Sequence, residues 1–76
     1  MEEFKMYNGE MLTVGEEIRF ADLWQSEDGD LDELLESGCC WIGNDEDDDP
    51  VNADFEIVDF CEEEPVKTLV KIIGIF

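Results

Sequence analysis

Two groups of carboxylates are the residues of this chain best placed to do chemistry: Asp45, Glu46, Asp47, Asp48 and Asp49 in an unbroken run, and Asp30, Asp32, Glu33 and Glu36 spaced as on a helix. A third run is Glu62-Glu63-Glu64. Such groups can bind a cation, act as acid and base, or receive the basic side chains of another protein. The spacing Asp45-x-Asp47-x-Asp49, with Glu56 further on, follows the ligand positions of an EF-hand calcium loop. It departs from that pattern at the sixth loop position, which is Pro50 where the sharp turn needs glycine, and neither flank reads as a helix. No metal centre is therefore expected, and a divalent-cation module stands only as an alternative. Catalysis is not expected either. With 23 acids any carboxylate pair is available and none stands out, and there is no histidine and no glycine-rich phosphate loop. Cys39, Cys40 and Cys61 lack C-x-x-C spacing and a histidine partner, so they read as core thiols rather than zinc ligands. No cofactor is expected.

Recognition of basic groups is what remains, and the charge balance favours it. Four basic residues against 23 acids leave a formal net charge of −19 on 76 residues. A small domain needs a net charge of only roughly 2 to 8 for solubility. The imbalance is also local: residues 20 to 66 hold every one of their 18 charges as Asp or Glu. Phosphates repel such a surface, so direct nucleic-acid binding and attachment to anionic lipid are both disfavoured. A basic protein partner is favoured. The composition is nevertheless that of a folding chain, 43 % hydrophobic with two Trp and five Phe. One small domain over residues 1–76 is expected, and a monomer. The start, Met1-Glu2-Glu3-Phe4-Lys5, has neither a basic nor an apolar leader region, and no apolar run approaches the ~20 residues of a membrane span. An odd cysteine count with an adjacent pair is not a disulfide framework and points to a reducing cytosol.

The elements that must hold these carboxylates are legible in outline. Asn8-Gly9, between Glu3–Tyr7 and Glu10–Val14, predicts a hairpin with a type I′ turn. Residues 16–24 read two ways: the even spacing of Ile18, Phe20 and Trp24 favours a strand, while Thr13 with Glu16 fits a capping box that opens a helix. Ser26 to Gly29 reads as a turn. Asp30 to Gly38 is the clearest helix, with Asp30 as N-cap, Glu33 completing the pair, Leu31, Leu34 and Leu35 as the buried stripe, and Gly38 as the stop. Asp32, Glu33 and Glu36 then share the solvent face. Cys39–Ile42 reads as a short buried strand, and residues 43–50 as a solvated acidic loop. Ala53–Cys61 is expected as a strand with Phe55 and Ile57 on one face and Val58 and Phe60 on the other. Val66–Phe76 is expected as a strand apolar on both faces and hence interior to the sheet. Trp24 and Trp41 read as core residues, with a binding anchor at the rim of the acidic face as the alternative. The fold expected is α+β: a small antiparallel sheet of about four to five strands, with one or two short helices on one face.

The acidic runs 27–36, 45–49 and 62–64 on a compact aromatic-containing chain resemble the small acidic DNA-mimic inhibitors deployed by phages, the anti-CRISPR and anti-restriction proteins. The resemblance is one of class and spans the chain's character rather than a motif. It implies a stoichiometric inhibitor acting in the host bacterial cytosol. It implies binding to the positively charged duplex-entry or PAM-reading site of a CRISPR effector, such as a type I surveillance complex subunit, and exclusion of target DNA. The residues expected to make that contact are Asp30, Asp32, Glu33, Glu36 and Asp45 to Asp49. An anti-restriction role, or service as the acidic partner of another basic protein, is the alternative.

Overall fold

Asn8-Gly9 does turn the chain back on itself. β1 (Glu3–Lys5) and β2 (Met11–Thr13) pair antiparallel, from Glu3 opposite Thr13 to Lys5 opposite Met11. The turn is not type I′, which needs two left-handed residues. Gly9 has φ 88°, while Asn8 does not have a positive φ. Gly9 N–H donates to Met6 O at 2.9 Å and Met6 N–H to Glu10 O at 2.8 Å. This is the three-residue loop, a type I turn followed by one left-handed residue. Asn8 acts through its side chain instead, whose Oδ1 accepts from Glu10 N–H at 2.9 Å.

The computed structural model describes residues 1–24 and 30–76, and the turn expected at Ser26 to Gly29 lies outside the described residues. Residues 16–24 take both of the forms their sequence allows. Glu16 Oε2 accepts from Thr13 N–H at 3.2 Å, the contact of a capping box, but a tight turn through Val14-Gly15 leads into a strand. That strand is β3 (Glu17–Arg19), and it passes directly into the single-turn helix α1 (Phe20–Leu23), which buries Phe20 and Leu23.

Helix α2 (Leu31–Ser37) lies where its signals place it. Asp30 accepts from Asp32 N–H at 3.0 Å, and Gly38, at φ 74°, donates its N–H to Leu34 O. Seven residues are too few to hold a helix in water, where about 12 to 15 are needed. Packing holds it: Leu35 is buried and Leu31 and Leu34 lie against the core. A side chain at Gly38 would be strained and crowded, because its φ is left-handed and a Cβ would sit 3.1 Å from Phe55 O, while Gly38 O accepts from Phe55 N–H at 2.8 Å.

β4 (Cys39–Asn44), β5 (Pro50–Asp59) and β6 (Leu69–Ile75) complete a four-stranded antiparallel sheet in the order β3-β6-β5-β4. A single 3₁₀ turn, Pro65–Lys67, leads into β6. Val51, Ala53, Phe55, Val70, Ile72 and Ile75 form one core with Phe20, Leu23 and Leu35, so the helices cover one face of the sheet. Thr68 is the buried polar residue among those described, and its Oγ1 accepts from Cys61 N–H at 3.2 Å.

Three expectations about the strands need correction. β5 starts at Pro50 rather than Ala53, which a strand's first position tolerates. β6 is interior by position, lying between β3 and β5, but it is not buried on both faces: Ile73 is 53 % exposed and Phe76 60 %. A bulge accounts for the pattern. Asp54 pairs with Gly74 and Phe55 with Ile72, leaving Ile73 unpaired and restoring Ile75, not Gly74, to the core. Third, Ile57, Val58 and Phe60 are all exposed, because β5 runs on past the end of β4.

Candidate partner-binding surface

On α2, Asp32, Glu33 and Glu36 are all exposed above the leucine stripe. Asp32 and Glu36 are one helical turn apart, about 5 to 6 Å between Cβ atoms. Asp30 is exposed as well, but its carboxylate is engaged as the N-cap. The acids of the first turn also favour the helix itself, since they face the positive end of its dipole.

The acidic run forms the turn between β4 and β5, and all five side chains are exposed. Its backbone repeats the first hairpin loop. Asp45 N–H donates to Asp49 O at 2.9 Å and Asp48 N–H to Asp45 O at 3.0 Å. Asp48 takes the place of Gly9, at φ 63°. Asp45 Oδ1 accepts from both Asp47 N–H (2.9 Å) and Asp49 N–H (3.0 Å). Asn44 Nδ2 donates to Asp48 Oδ1 at 3.0 Å, and Asn44 Oδ1 accepts from Trp41 Nε1 at 3.0 Å. Trp41 in turn stacks on Tyr7, with ring centroids 5.5 Å apart. Thus Glu46 and Asp47 project from a turn braced by side chains of β4 and of the first hairpin loop, while Asp45 and Asp48 are partly spent on bracing it. The bracing residues Tyr7 and Asn44 carried no signal in the sequence, because only the folded register brings Tyr7 beside Trp41.

Asp45, Asp47 and Asp49 each place a carboxylate oxygen within 4.8 Å of the others. The EF-hand spacing nevertheless does not fold as one. Glu56 lies on β5 opposite Lys71, six residues beyond Pro50, or about 20 Å along a strand. Among the described residues, the three aspartates form an exposed cluster with no ligand from another element.

Because α2 leads into one end of β4 and the acidic turn leaves the other, the structure divides the expected residues into two patches. The six residues of β4 separate them by about 17 Å. β4 is the edge strand on that side and carries no basic residue. The bases lie elsewhere. Lys71 sits between Glu17 and Glu56 in register, and Arg19 Nη1 donates to Lys67 O at 3.0 Å. Lys67 pairs with Glu64 at 3.3 Å, an exposed contact that contributes little.

None of the three cysteines is in a disulfide. Cys40 is buried, and Cys39 and Cys61 half-buried. Cys39 lies opposite Asp54 across β4 and β5. Burial pushes its thiol up, and the hydrogen bond to Asp54 and that carboxylate's charge push it the same way. A raised thiol is a poorer nucleophile at neutral pH than an ordinary one. Trp24 is half-buried, stacks on Phe20 with ring centroids 6.0 Å apart, and belongs to the core's margin.

Among the described residues no helix is long and apolar enough to cross a membrane. No family model matches the chain, and no curated protein or solved structure matches it.

Proposed function

We propose that the protein is a DNA-mimic inhibitor that occupies the positively charged DNA-binding site of a CRISPR effector and excludes target DNA. One observation carries this reading: two exposed carboxylate patches, each on a backbone fixed by its own hydrogen bonds, flank an edge strand without bases. Their separation of about 17 Å matches the axial rise of about five base pairs of duplex DNA, at ~3.4 Å of helix axis per phosphate of each strand. Carboxylates accept the two-pronged hydrogen bonds of arginine as phosphates do. Long-range attraction would bring the partners together quickly, with k_on up to about 10⁸ M⁻¹s⁻¹ at low salt. Ordered carboxylates seated on arginine would then set the residence time.

The test is displacement of a fluorescent target duplex from a purified type I surveillance complex, with a restriction enzyme in parallel. Two charge-reversed variants are compared with the parent chain. One carries Asp32→Lys, Glu33→Lys and Glu36→Lys. The other carries Glu46→Lys, Asp47→Lys and Asp49→Lys, sparing Asp45 and Asp48, whose side chains hold the turn. Each should lose at least about tenfold in potency while keeping its circular dichroism spectrum. Undiminished DNA exclusion by both would remove these residues from the contact. Displacement only from the restriction enzyme would move the inhibitor to that target class.

A further inference from the structure

β5 outruns its neighbour. β4 pairs with it only from Pro50 to Asp54, and the last link on that side is Phe55 N–H to Gly38 O at 2.8 Å. Beyond that point β5 pairs, among the described residues, with β6 alone, through Glu56 opposite Lys71, Ile57 opposite Val70 and Asp59 opposite Leu69. Successive residues of a strand direct their N–H and C=O groups to alternate sides. Ile57 lies two residues after Phe55, so its main-chain groups also turn away from β6, to the side where β4 has ended. The side chains around it are exposed: Ile57 44 %, Val58 47 % and Phe60 49 %. Exposed acids interleave with them, Glu56 and Asp59 within the strand and Glu62 to Glu64 after it.

We infer that this overhang receives an extended cationic segment of a partner protein, added as a short strand beside Ile57. An open sheet edge is a template for such addition, the main chain supplying affinity and the alternating side chains supplying selection. The selection here is for Lys or Arg against Glu56 and Asp59, with an apolar residue against Ile57. A second copy of this chain is the wrong occupant, because it would set one net charge of −19 against another. The bulge that leaves Val58 and Asp59 together opposite Leu69 ends regular pairing, so the added strand is short. This inference rests on the reading that the partner is basic, but it places a contact outside the two patches on α2 and the acidic turn.

The probe is a fluorescent peptide of about nine residues that alternates Lys with Val and Thr, read by anisotropy at about 150 mM salt. Its control has equal charge but carries Pro and Gly at the centre, so it cannot add as a strand. The alternating peptide should bind at least about tenfold tighter than the control and slow hydrogen exchange at the Ile57 amide. Ile57→Pro, which removes an N–H directed away from β6, should abolish that preference. Ile57→Lys, which keeps the N–H but sets a cation where the apolar residue of the peptide would lie, should weaken binding at least tenfold and guards against misfolding of the proline variant. Equal binding of the two peptides, no binding of either, or an unprotected Ile57 amide each overturns the inference. None of those outcomes touches the DNA-displacement result, which depends on other residues and another ligand.

Discussion

Asn44 donates from Nδ2 to Asp48 Oδ1 at 3.0 Å, and Asp48 is the residue whose backbone is left-handed, at φ 63°. The same side chain that braces the turn therefore belongs to its most strained residue. Aspartate and asparagine tolerate this conformation because their short polar groups bond locally. Asp48→Asn keeps an acceptor and removes one of many like charges, and should match or exceed the parent in urea-unfolding midpoint. Asp48→Val loses the bond and places a branched side chain in the left-handed region, at a cost of about 1 to 3 kcal/mol. A valine variant as stable as the parent would contradict the turn geometry.

Gly43 lets the two sheets meet. A Cβ on it would come within 3.0 Å of a ring carbon of Phe4 and 3.3 Å of Tyr7 N, and Tyr7 N–H is already committed to Ile42 O at 2.9 Å. The ring can shift slightly, but the hydrogen-bonded backbone cannot. Gly43→Ala should therefore destabilise by about 1 to 3 kcal/mol and loosen the β1–β2 hairpin. Faster amide exchange at Tyr7 in the variant is the measurement.

Cys39 and Asp54 give a pH-dependent signal. The thiol lies above its ordinary value of 9.0, burial being the main cause and Asp54 the second. Asp54→Asn removes only the second, so the alkylation rate of Cys39, followed by peptide mass spectrometry, should reach its midpoint at lower pH than in the parent. The linkage sign follows. A group whose folded value exceeds its unfolded one contributes stability below the unfolded value and loses it as pH rises through the folded value. The parent should therefore lose stability above about pH 9, and Cys39→Ala should lose less. An unmoved alkylation midpoint in Asp54→Asn would show that the pair does not interact.

Salt should stabilise this chain. At a net charge of −19 the folded state repels itself, and sodium chloride screens that repulsion, so the melting temperature should climb with salt at neutral pH. Calcium and magnesium at equal ionic strength should act alike, because among the described residues Asp45, Asp47 and Asp49 receive no ligand from another element. A rise with calcium alone that vanishes in Asp47→Asn would instead establish a dedicated cation site.

Local chemistry was legible in the sequence where one side chain settles one conformation. Asp30 caps and Gly38 ends α2, and the leucines between them choose its buried face. Asn8-Gly9 marks the first hairpin, although its turn type follows from which residue turns left-handed rather than from the dipeptide. What was not legible is parity. A bulge adds one residue and reverses which face the following side chains take, so alternation alone could not show that Ile73 is exposed while Ile75 is buried. The division of the carboxylates into two patches was hidden for a similar reason: it depends on β4 standing between them. The stretch 16–24 misled by holding both periods, a strand giving way to a helix without a break.

Arg19, Lys67 and Lys71 lie on or beside β3 and β6, whereas β4 and β5 hold no base between Cys39 and Asp59. The molecule therefore has an electric dipole across its sheet as well as a net charge. In the field of a cationic cleft it experiences a torque, which turns the β4 edge forward before any surfaces touch. Neutralising the three bases would leave it more strongly attracted and less well aimed.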